Sequence, residues 1–282
     1  MRNALTALSE ELWRLKSSGV RTVSVSDDSL AKLRAIVVKR SRPAGPVGAA
    51  GVREEKPAGP IPPVVILPQG DKAARWEALR QLVTGDRTCR ANVRAGKKVV
   101  LGVGNLDAQI MFIGEAPGSD EEVQGEPFVG PAGQLLNRMI AAMGIQRSDV
   151  YIGNIMNWRP QLPVGPDGIQ VGNRPPTPDE MAYCMPYLLA QIDIVSPAIL
   201  VALGATAAQG LLGSGTFKAL GEVRGQWRQF AGRPLMVTYH PSYILRSSTN
   251  RSKRLIWEDL LKVMERARLP ISEKQKAYFL GK

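Results

Sequence analysis

An apolar run that ends in a turn of Gly, Pro and carboxylates constrains the fold of this chain more than any other stretch. Residues 110–113 read IMFI, residues 114–131 are rich in Gly, Pro and acids, and a helical pattern begins over residues 133–136. This is the pattern of a buried strand with polar groups at its carboxyl end, where open α/β sheets place their sites. The sequence therefore predicts a functional site just after residue 113.

Strand-like and helix-like segments alternate from about residue 70 onwards. Short β-rich runs separated by helices favour a parallel sheet with helices on both faces. The predicted strands are 98–102, 110–114, 150–155, 198–203 and 235–239. The predicted helices are 71–83, 132–143, 178–194, 205–212 and 251–267.

The part of the chain that precedes this region has a different composition. Leucines at three- and four-residue steps predict an N-terminal helical arm over residues 1–42, and a flexible linker rich in Pro, Gly and Ala follows over residues 43–69. We expect the main domain over residues 70–270 and a tail over residues 271–282. We interpret the arm as a docking segment for an unidentified protein, and we expect a monomer.

The charge balance narrows the class of partner, because the 282-residue chain has a formal net charge of +12. Such a chain suits a polyanion, nucleic acid before an anionic membrane, although a basic surface without any such partner gives the same composition. The sequence contains no apolar run of about 18 residues and no signal-peptide pattern, so we expect a cytoplasmic protein without a membrane span. It also lacks the glycine-rich phosphate-binding motifs of common nucleotide-binding α/β proteins.

Two distant motifs carry the strongest functional signal. GEAPG occupies residues 114–118 and PFVGPAG residues 127–133, while HPS at residues 240–242 contains the one histidine of the chain. Together they resemble the two signature motifs of the uracil-DNA glycosylase superfamily, and most closely its bacterial and archaeal branch that normally carries an iron–sulfur cluster. The resemblance covers about residues 76–267.

The resemblance implies a fold and an activity. The fold is three-layer α/β/α with a central, mainly parallel four-stranded sheet. The activity is that of a monofunctional glycosylase in base-excision repair, which hydrolyses the glycosidic bond of flipped-out uracil in DNA and leaves an abasic site. DNA that contains uracil is therefore the expected partner.

The same resemblance assigns a base pocket. Phe128 would stack on the extruded base, although a loop phenylalanine can also simply anchor its loop. The Asn154 amide would accept from uracil N3–H and donate to O4, a pattern that cytosine reverses, whereas asparagines also commonly form turns. His240 would donate to O2 as negative charge develops there. The implied uracil-binding residues are Gly114, Glu115, Ala116, Phe128, Asn154 and His240.

Carboxylates supply the remaining catalytic candidates. Glu115 and Glu121 are the expected assistants to His240, while Glu122 reads as part of a solvated acidic turn. Other uracil glycosylases place an Asp where this chain has Ala116, so the reaction would depend more on stabilising the departing anion. Gly118 stands where some relatives carry a tyrosine that blocks the methyl group of thymine.

DNA contacts are expected around both motifs. Ser242 would grip a phosphate, and the segment that starts at Tyr243 would either wedge into the gap left by the flipped base or simply begin a helix. The expected DNA-binding residues are Gly118, Ser119, Pro131, Ser242, Tyr243 and Arg246. Further cations are available for phosphates, or are plain solvated surface: Arg159, Arg174, Arg224, Arg251, Lys253 and Arg254.

The cluster-bearing branch uses four cysteines, and only two of the matching positions are cysteine here. The four positions are occupied by Cys89, Asn92, Trp158 and Cys184. Because Asn and Trp do not replace thiolates in such a cluster, we expect no 4Fe–4S cofactor. We expect the Trp158 indole to fill the space near the two cysteines.

A second function stays open at this point. Ala116 and the altered cluster positions would also suit a catalytically weak relative that captures flipped bases or abasic sites, tethered to a polymerase or a repair complex. The joint presence of Phe128, Asn154 and His240 favours the enzyme, since a pure binder has little use for both an edge reader and an anion donor.

Overall fold

The computed structural model of the protein describes residues 60–165, 168 and 170–280. The predicted N-terminal arm, and the predicted linker as far as residue 59, lie outside the described residues. Residues 60–69 contain no helix or strand, but Val65 and Leu67 pack against the hydrophobic core. In the predicted tail, Trp257 of the preceding helix donates to the carbonyl of Gln275 at 2.6 Å, so this segment is held against the domain.

The described chain alternates helices and strands. The helices are α1 Lys72–Gly85, α2 Arg87–Ala91, α3 Ser119–Gln124, α4 Pro131–Ala142, α5 Pro178–Val195, α6 Ala205–Leu212, α7 Ser242–Arg246, α8 Asn250–Arg266 and α9 Glu273–Lys276. The strands are β1 Val103–Gly104, β2 Ile110–Gly114, β3 Tyr151–Asn154, β4 Ile199–Leu203, β5 Trp227–Phe230 and β6 Arg233–Thr238. Short 3-10 turns occupy Arg147–Asp149 and Leu220–Glu222. None of the helices in the described ranges combines the length and apolar character needed to cross a bilayer.

The six strands form one sheet in the order β1-β3-β2-β4-β6-β5. The four central strands run parallel, and the two edge strands β1 and β5 pair antiparallel with their neighbours. The predicted class, three layers around a mainly parallel sheet, is confirmed. The number of strands was wrong by two, because the short edge strands extend the parallel four.

The sheet separates two hydrophobic clusters, which follow from the alternation of side chains along each strand. Met111 and Ile113 of β2 belong to one cluster, with helices α1, α5 and α6, while Ile110 and Phe112 belong to the other, with α4, α7 and α8. All five residues of β2 are buried, as expected for a central parallel strand covered on both faces. This arrangement leaves the carboxyl edge of the sheet for polar residues.

Several details of the fold differ from the prediction. Residues 98–102 do not form a strand, because their backbone bonds to a helix and to a loop: Lys98 N–H donates to Glu122 O of α3 and Val100 N–H to Asn157 O, both at 2.8 Å. Strand β5 was missed because it is short and polar, and because its two-residue turn, Ala231-Gly232, is a weaker hairpin signal than Asn-Gly. The acidic stretch after Gly118, expected as a turn, forms helix α3.

Candidate active site at the carboxyl edge of the sheet

The ends of three parallel strands bring the two motifs together. Gly114 at the end of β2 pairs in register with Asn154 at the end of β3, and β6 ends at Thr238, just before His240. A cavity of about 270 Å³ opens at this edge. It is lined by Ala116, Gly118, Ser119, Asp120, Glu121, Phe128, Gly130, Pro131, Ala132, Asn154, Asn173, His240, Ser242 and Arg246.

The Phe128 ring forms one wall of the cavity and is fixed by its own backbone. The residue has φ 55°, in the left-handed region that non-glycine residues rarely adopt. Arg147 holds the loop there by donating to the carbonyls of Pro127 at 2.7 Å and of Phe128 at 3.2 Å. Gly133 is required beneath it, because a Cβ at that position would clash with the Phe128 carbonyl. The ring therefore has little freedom to turn away from the cavity.

The Asn154 side chain lies beside that ring and is 5% exposed. A Cβ at Gly114 would clash with both Asn154 Oδ1 and the Phe128 ring, so the glycine allows the two side chains to meet. Asn154 Oδ1 has no hydrogen-bond partner among the described residues. A buried carbonyl oxygen without a donor is costly unless a ligand supplies one. The amide is thus placed to accept a hydrogen bond from a molecule in the cavity.

His240 faces the same cavity, with its ring centroid 5.6 Å from that of Phe128. The backbone N–H of Ser242 donates to His240 Nδ1 at 3.2 Å, and the Ser242 hydroxyl lies 2.9 Å from the same nitrogen. Because a backbone N–H can only donate, Nδ1 is an acceptor and the ring proton of the neutral form is on Nε2. Burial, aided by the charge of Arg246, lowers the pKa of His240 to about 4. The imidazole is therefore neutral at physiological pH.

The predicted carboxylates have different surroundings. Glu121 accepts from the backbone N–H groups of Gly118, Val129 and Gly130 at 3.0 to 3.1 Å, and so ties the start of α3 to the Phe128 loop. Glu115 is not part of the cavity lining; burial raises the pKa of its carboxyl group, while a hydrogen bond from Thr206 opposes that shift. Glu121 therefore holds the Phe128 loop, whereas Glu115 lies partly buried outside the cavity lining.

The interpretation of Glu122 as a solvated residue was wrong. Its carboxylate is buried and pairs with the equally buried Arg159 at 2.9 Å. Arg159 also donates to Asn173 Oδ1 at 2.8 Å and to the Gly172 carbonyl at 2.8 Å, which positions the cavity residue Asn173. The sequence could not show this pair, because its partners are separated by 37 positions.

Several other basic residues are committed to internal contacts rather than standing free for phosphates. Arg174 pairs with Glu180, Arg224 with Asp259 and Arg254 with Glu258. Arg246, in contrast, lines the cavity and donates to the Ser242 hydroxyl at 3.1 Å. Of the predicted DNA-contacting residues, Gly118, Ser119, Pro131, Ser242 and Arg246 line the cavity.

Tyr243 is outside the cavity lining and begins helix α7, the alternative that the sequence left open. Its ring stacks on Tyr239 with centroids 4.3 Å apart, and the Arg224 guanidinium lies 5.6 Å from the Tyr239 ring centroid. The Tyr243 ring is therefore held against Tyr239, the residue that precedes His240.

Sequence reasoning missed two polar residues of the cavity, Asp120 and Asn173. Asp120 read as part of an acidic turn, and Asn173 lies at the end of a long loop whose path cannot be deduced from its composition. For Asp120 the sequence did offer a signal, a capping pattern that indicates a helix start. Glu121 stands at the third helical position and accepts from the backbone N–H of Gly118.

The four positions that correspond to cluster ligands are occupied by Cys89, Asn92, Trp158 and Cys184. Cys89, Trp158 and Cys184 are buried in one hydrophobic cluster, where Trp158 contacts Tyr183 with ring centroids 6.1 Å apart. We call Cys89, Asn92, Trp158 and Cys184 the thiol–tryptophan cluster. The Asn92 amide donates to the Thr88 carbonyl at 2.9 Å. Within the described residues, no group of three or more His, Cys, Asp or Glu side chains could hold a metal ion.

The two thiols are in a setting that favours protonation. Burial is the main cause that raises the pKa of both, and it raises the pKa of Cys184 to about 12. Metal ligation requires thiolates, and a 4Fe–4S cluster takes four of them. Asn92 and Trp158 supply no thiolate, so the residues present do not fit this group.

Comparison with known proteins agrees with this geometry. The family model of the uracil DNA glycosylase superfamily matches residues 101–261, and the chain belongs to that superfamily. It is 44% identical over 167 residues to the type-4 uracil-DNA glycosylase of Thermotoga maritima, covering 58% of this chain and 80% of that protein. It is 39% identical over 177 residues to the type-4 uracil-DNA glycosylase of Archaeoglobus fulgidus, covering 60% and 84%. The enzyme of the same name from Saccharolobus solfataricus is 39% identical over 176 residues, covering 60% and 76%.

Proposed function

We propose that the protein is a monofunctional uracil-DNA glycosylase that hydrolyses the glycosidic bond of extruded uracil and leaves an abasic site. One observation carries the proposal: Phe128, Asn154 and His240, which come from three separate segments, line a single cavity. The names of the similar type-4 enzymes support the same activity.

The cavity would recognise the base through its face and its edge. The Phe128 ring stacks on the pyrimidine, a contact worth about 1–3 kcal/mol. Asn154 Oδ1, which lacks a donor among the described residues, accepts from N3–H, and Nδ2 donates to O4. Cytosine presents an acceptor at N3 and a donor at the 4-position, so it leaves both groups of the buried amide unpaired.

His240 would stabilise the leaving group. As the bond between C1′ of the sugar and N1 of uracil breaks, the electron pair stays on the base and negative charge spreads to O2. The Nε2–H of His240 donates to that oxygen, and the lowered pKa of the ring means that a neutral imidazole, not an imidazolium, is the donor. Water adds to C1′ and gives up a proton to solvent, while the released uracil anion takes one up, which completes the hydrolysis.

Asp120 would orient this water. Two carboxylates line the cavity, and Glu121 already accepts three backbone N–H groups. No hydrogen bond to the Asp120 carboxylate occurs within the described residues, so its lone pairs remain for water. Glu115, partly buried and with a raised pKa, would assist from outside the lining.

The rim of the cavity would hold the DNA strand. Ser242 and Arg246 supply a hydroxyl and a cation for a phosphate, and the backbone near Gly118, Ser119 and Pro131 approaches the strand closely. Tyr243, held by its stack on Tyr239, flanks the gap left by the extruded nucleotide.

The enzyme would work without an iron–sulfur cluster. Only two of the four ligand positions carry thiols. The other two hold Asn92 and the buried Trp158, and Asn92 is committed to its own helix end. Iron and acid-labile sulfide should therefore be absent from anaerobically purified protein. A broad visible absorbance with stoichiometric iron would overturn this part of the proposal.

The decisive assay uses a labelled oligonucleotide with one uracil. Incubation with the protein followed by hot alkali should cleave the strand at the uracil, and omission of alkali should leave the strand intact. Retention of the oligonucleotide in a gel without scission would favour the alternative, a base-capturing relative with little activity. That alternative draws support from Ala116, which stands where other glycosylases carry an aspartate.

A further inference from the structure

A second cavity lies at the C-terminal end of helix α3, whose N-terminal end lines the base pocket. Its volume is about 620 Å³, against about 270 Å³ for the pocket. Gln124 and Gly125, at the end of α3, form part of its wall, and Trp76 contributes an aromatic side chain. We call it the basic cleft after the five cations that line it: Arg80, Arg90, Arg94, Lys97 and Lys98.

The positive charge of the basic cleft is largely uncompensated. Arg80 pairs with Glu77 at 2.6 Å, but in the described part of the chain no carboxylate lies within ion-pair distance of the other four cations. One acid, the exposed Glu126, lines the cleft. Cations concentrated in a concave wall focus a positive potential that attracts anions.

The cations are mounted on fixed backbone rather than on a loose loop. Cys89, a residue of α2, is fully buried and anchors this helix to the core. The Asp86 carboxylate caps the same helix by accepting from Cys89 N–H at 2.6 Å. Lys98 N–H donates to Glu122 O at 2.8 Å, and the Arg94 guanidinium donates to Leu162 O at 2.7 Å. These contacts hold the segment in place before any ligand arrives, which lowers the entropic cost of binding.

The length of helix α3 gives an approximate separation of the two cavities. Asp120 and Glu121, early in α3, line the base pocket, and Gln124, at its end, lines the cleft. A six-residue helix is about 9 Å long. At about 3.4 Å of helix axis per nucleotide of one strand in B-form DNA, that length corresponds to two or three nucleotides.

We propose that the basic cleft binds phosphates of the same DNA strand that carries the target uracil, about two or three nucleotides from the extruded base. This inference rests on the proposed function, because it takes the occupant of the pocket to be a nucleotide of that strand. The cleft gives the enzyme an electrostatic contact that carries no sequence information, and so positions the strand without selecting its bases.

The test removes two cations and measures strand affinity. The variant Arg90→Gln/Lys97→Gln is compared with Arg228→Gln/Lys274→Gln, which removes equal charge from exposed sites; Arg228 lies on β5, at the sheet edge opposite β1. Binding to a long single strand that carries a central abasic-site analogue is measured by anisotropy across a salt series. The cleft variant should lose about tenfold in affinity and lower the salt slope by about 1.4, the value for two single-strand phosphate contacts.

Excision kinetics add a geometric control. On a short substrate that ends one nucleotide from the uracil on each side, the cleft variant and the wild type should have equal kcat/KM, because neither strand end reaches the cleft. Equal losses on short and long substrates, or equal losses in the two double variants, would overturn the proposal. If the wild type releases no uracil, the proposed function fails, while the anisotropy series still decides whether the cleft binds the strand.

Discussion

The base pocket and the thiol–tryptophan cluster both correspond to functional sites of the superfamily. Only the base pocket retains groups that can act on a ligand. In the pocket, Asn154 Oδ1 has no partner in the described structure and borders an open cavity. In the cluster, Trp158 is 1% exposed and its Nε1 likewise finds no acceptor among the described residues. The difference is access: an unpaired polar atom beside a cavity can meet a ligand, whereas a sealed one only adds to the cost of burial.

Removing the indole from the cluster should give the largest effect. Trp158→Ala leaves a large hole in the core and should lower the free energy of unfolding by about 3–5 kcal/mol. Uracil excision by the folded fraction should change little, because Trp158 does not line the base pocket. Urea unfolding and single-turnover assays at low temperature separate the two quantities. A milder loss is expected for Trp158→Phe, and unchanged stability in the alanine variant would show that the indole is not structural.

Removing the imidazole from the pocket should lower uracil excision and leave stability nearly unchanged, the reverse of what is expected for Trp158→Ala. His240→Ala should lower kcat by about 10²–10³-fold, the usual cost of losing one donor to a developing anion. Affinity for DNA with an abasic-site analogue should change far less, and so should the melting temperature. Single-turnover excision and anisotropy provide the comparison. Equal losses in turnover and binding would instead mark His240 as a structural residue.

Changing the edge reader should affect selectivity rather than fold. Asn154→Asp replaces the donor Nδ2 with an acceptor, so the residue can no longer donate to uracil O4. The preference for uracil over cytosine should fall about ten- to a hundredfold, since one unpaired buried group costs about 1–3 kcal/mol. Competition between uracil- and cytosine-containing oligonucleotides measures that ratio directly. An unchanged ratio would remove Asn154 from the reading of the base edge.

The smallest expected change concerns the His240 proton. Arg246→Gln removes the nearby charge that helps to lower the pKa, so the pKa should rise from about 4 towards its ordinary value. His240 is the one histidine of the chain, so a single imidazole signal follows the titration by NMR. A wild-type midpoint near the ordinary histidine value would contradict the neutral, buried ring.

The same shift has a consequence for stability. The unfolded chain takes up a proton near the ordinary histidine pKa of 6.5, while the folded chain does so only at about 4. Between these values the unfolded state binds more protons, so this residue makes stability fall as the pH is lowered through that window. Above it, the contribution is complete.

The sequence predicted the parts of the molecule that depend on local pattern. Buried strand β2 and the parallel centre of the sheet followed from apolar runs and from the alternation of strands and helices, whereas the grouping of Phe128, Asn154 and His240 was what the family resemblance implied. The edge strand β5 and the bonding of residues 98–102 did not, because both depend on partners far along the chain. The burial of Glu122 is the sharpest case: the residue read as solvated until Arg159 was placed against it.

The bond between the Ser242 backbone N–H and His240 Nδ1 has an evolutionary consequence. Most substitutions change a side chain and leave the main-chain donor in place, so only proline at position 242 would remove it. Substitutions of Ser242 other than proline therefore leave the imidazole hydrogen on Nε2. Neighbouring contacts can diversify for new substrates while this one protonation pattern is inherited intact.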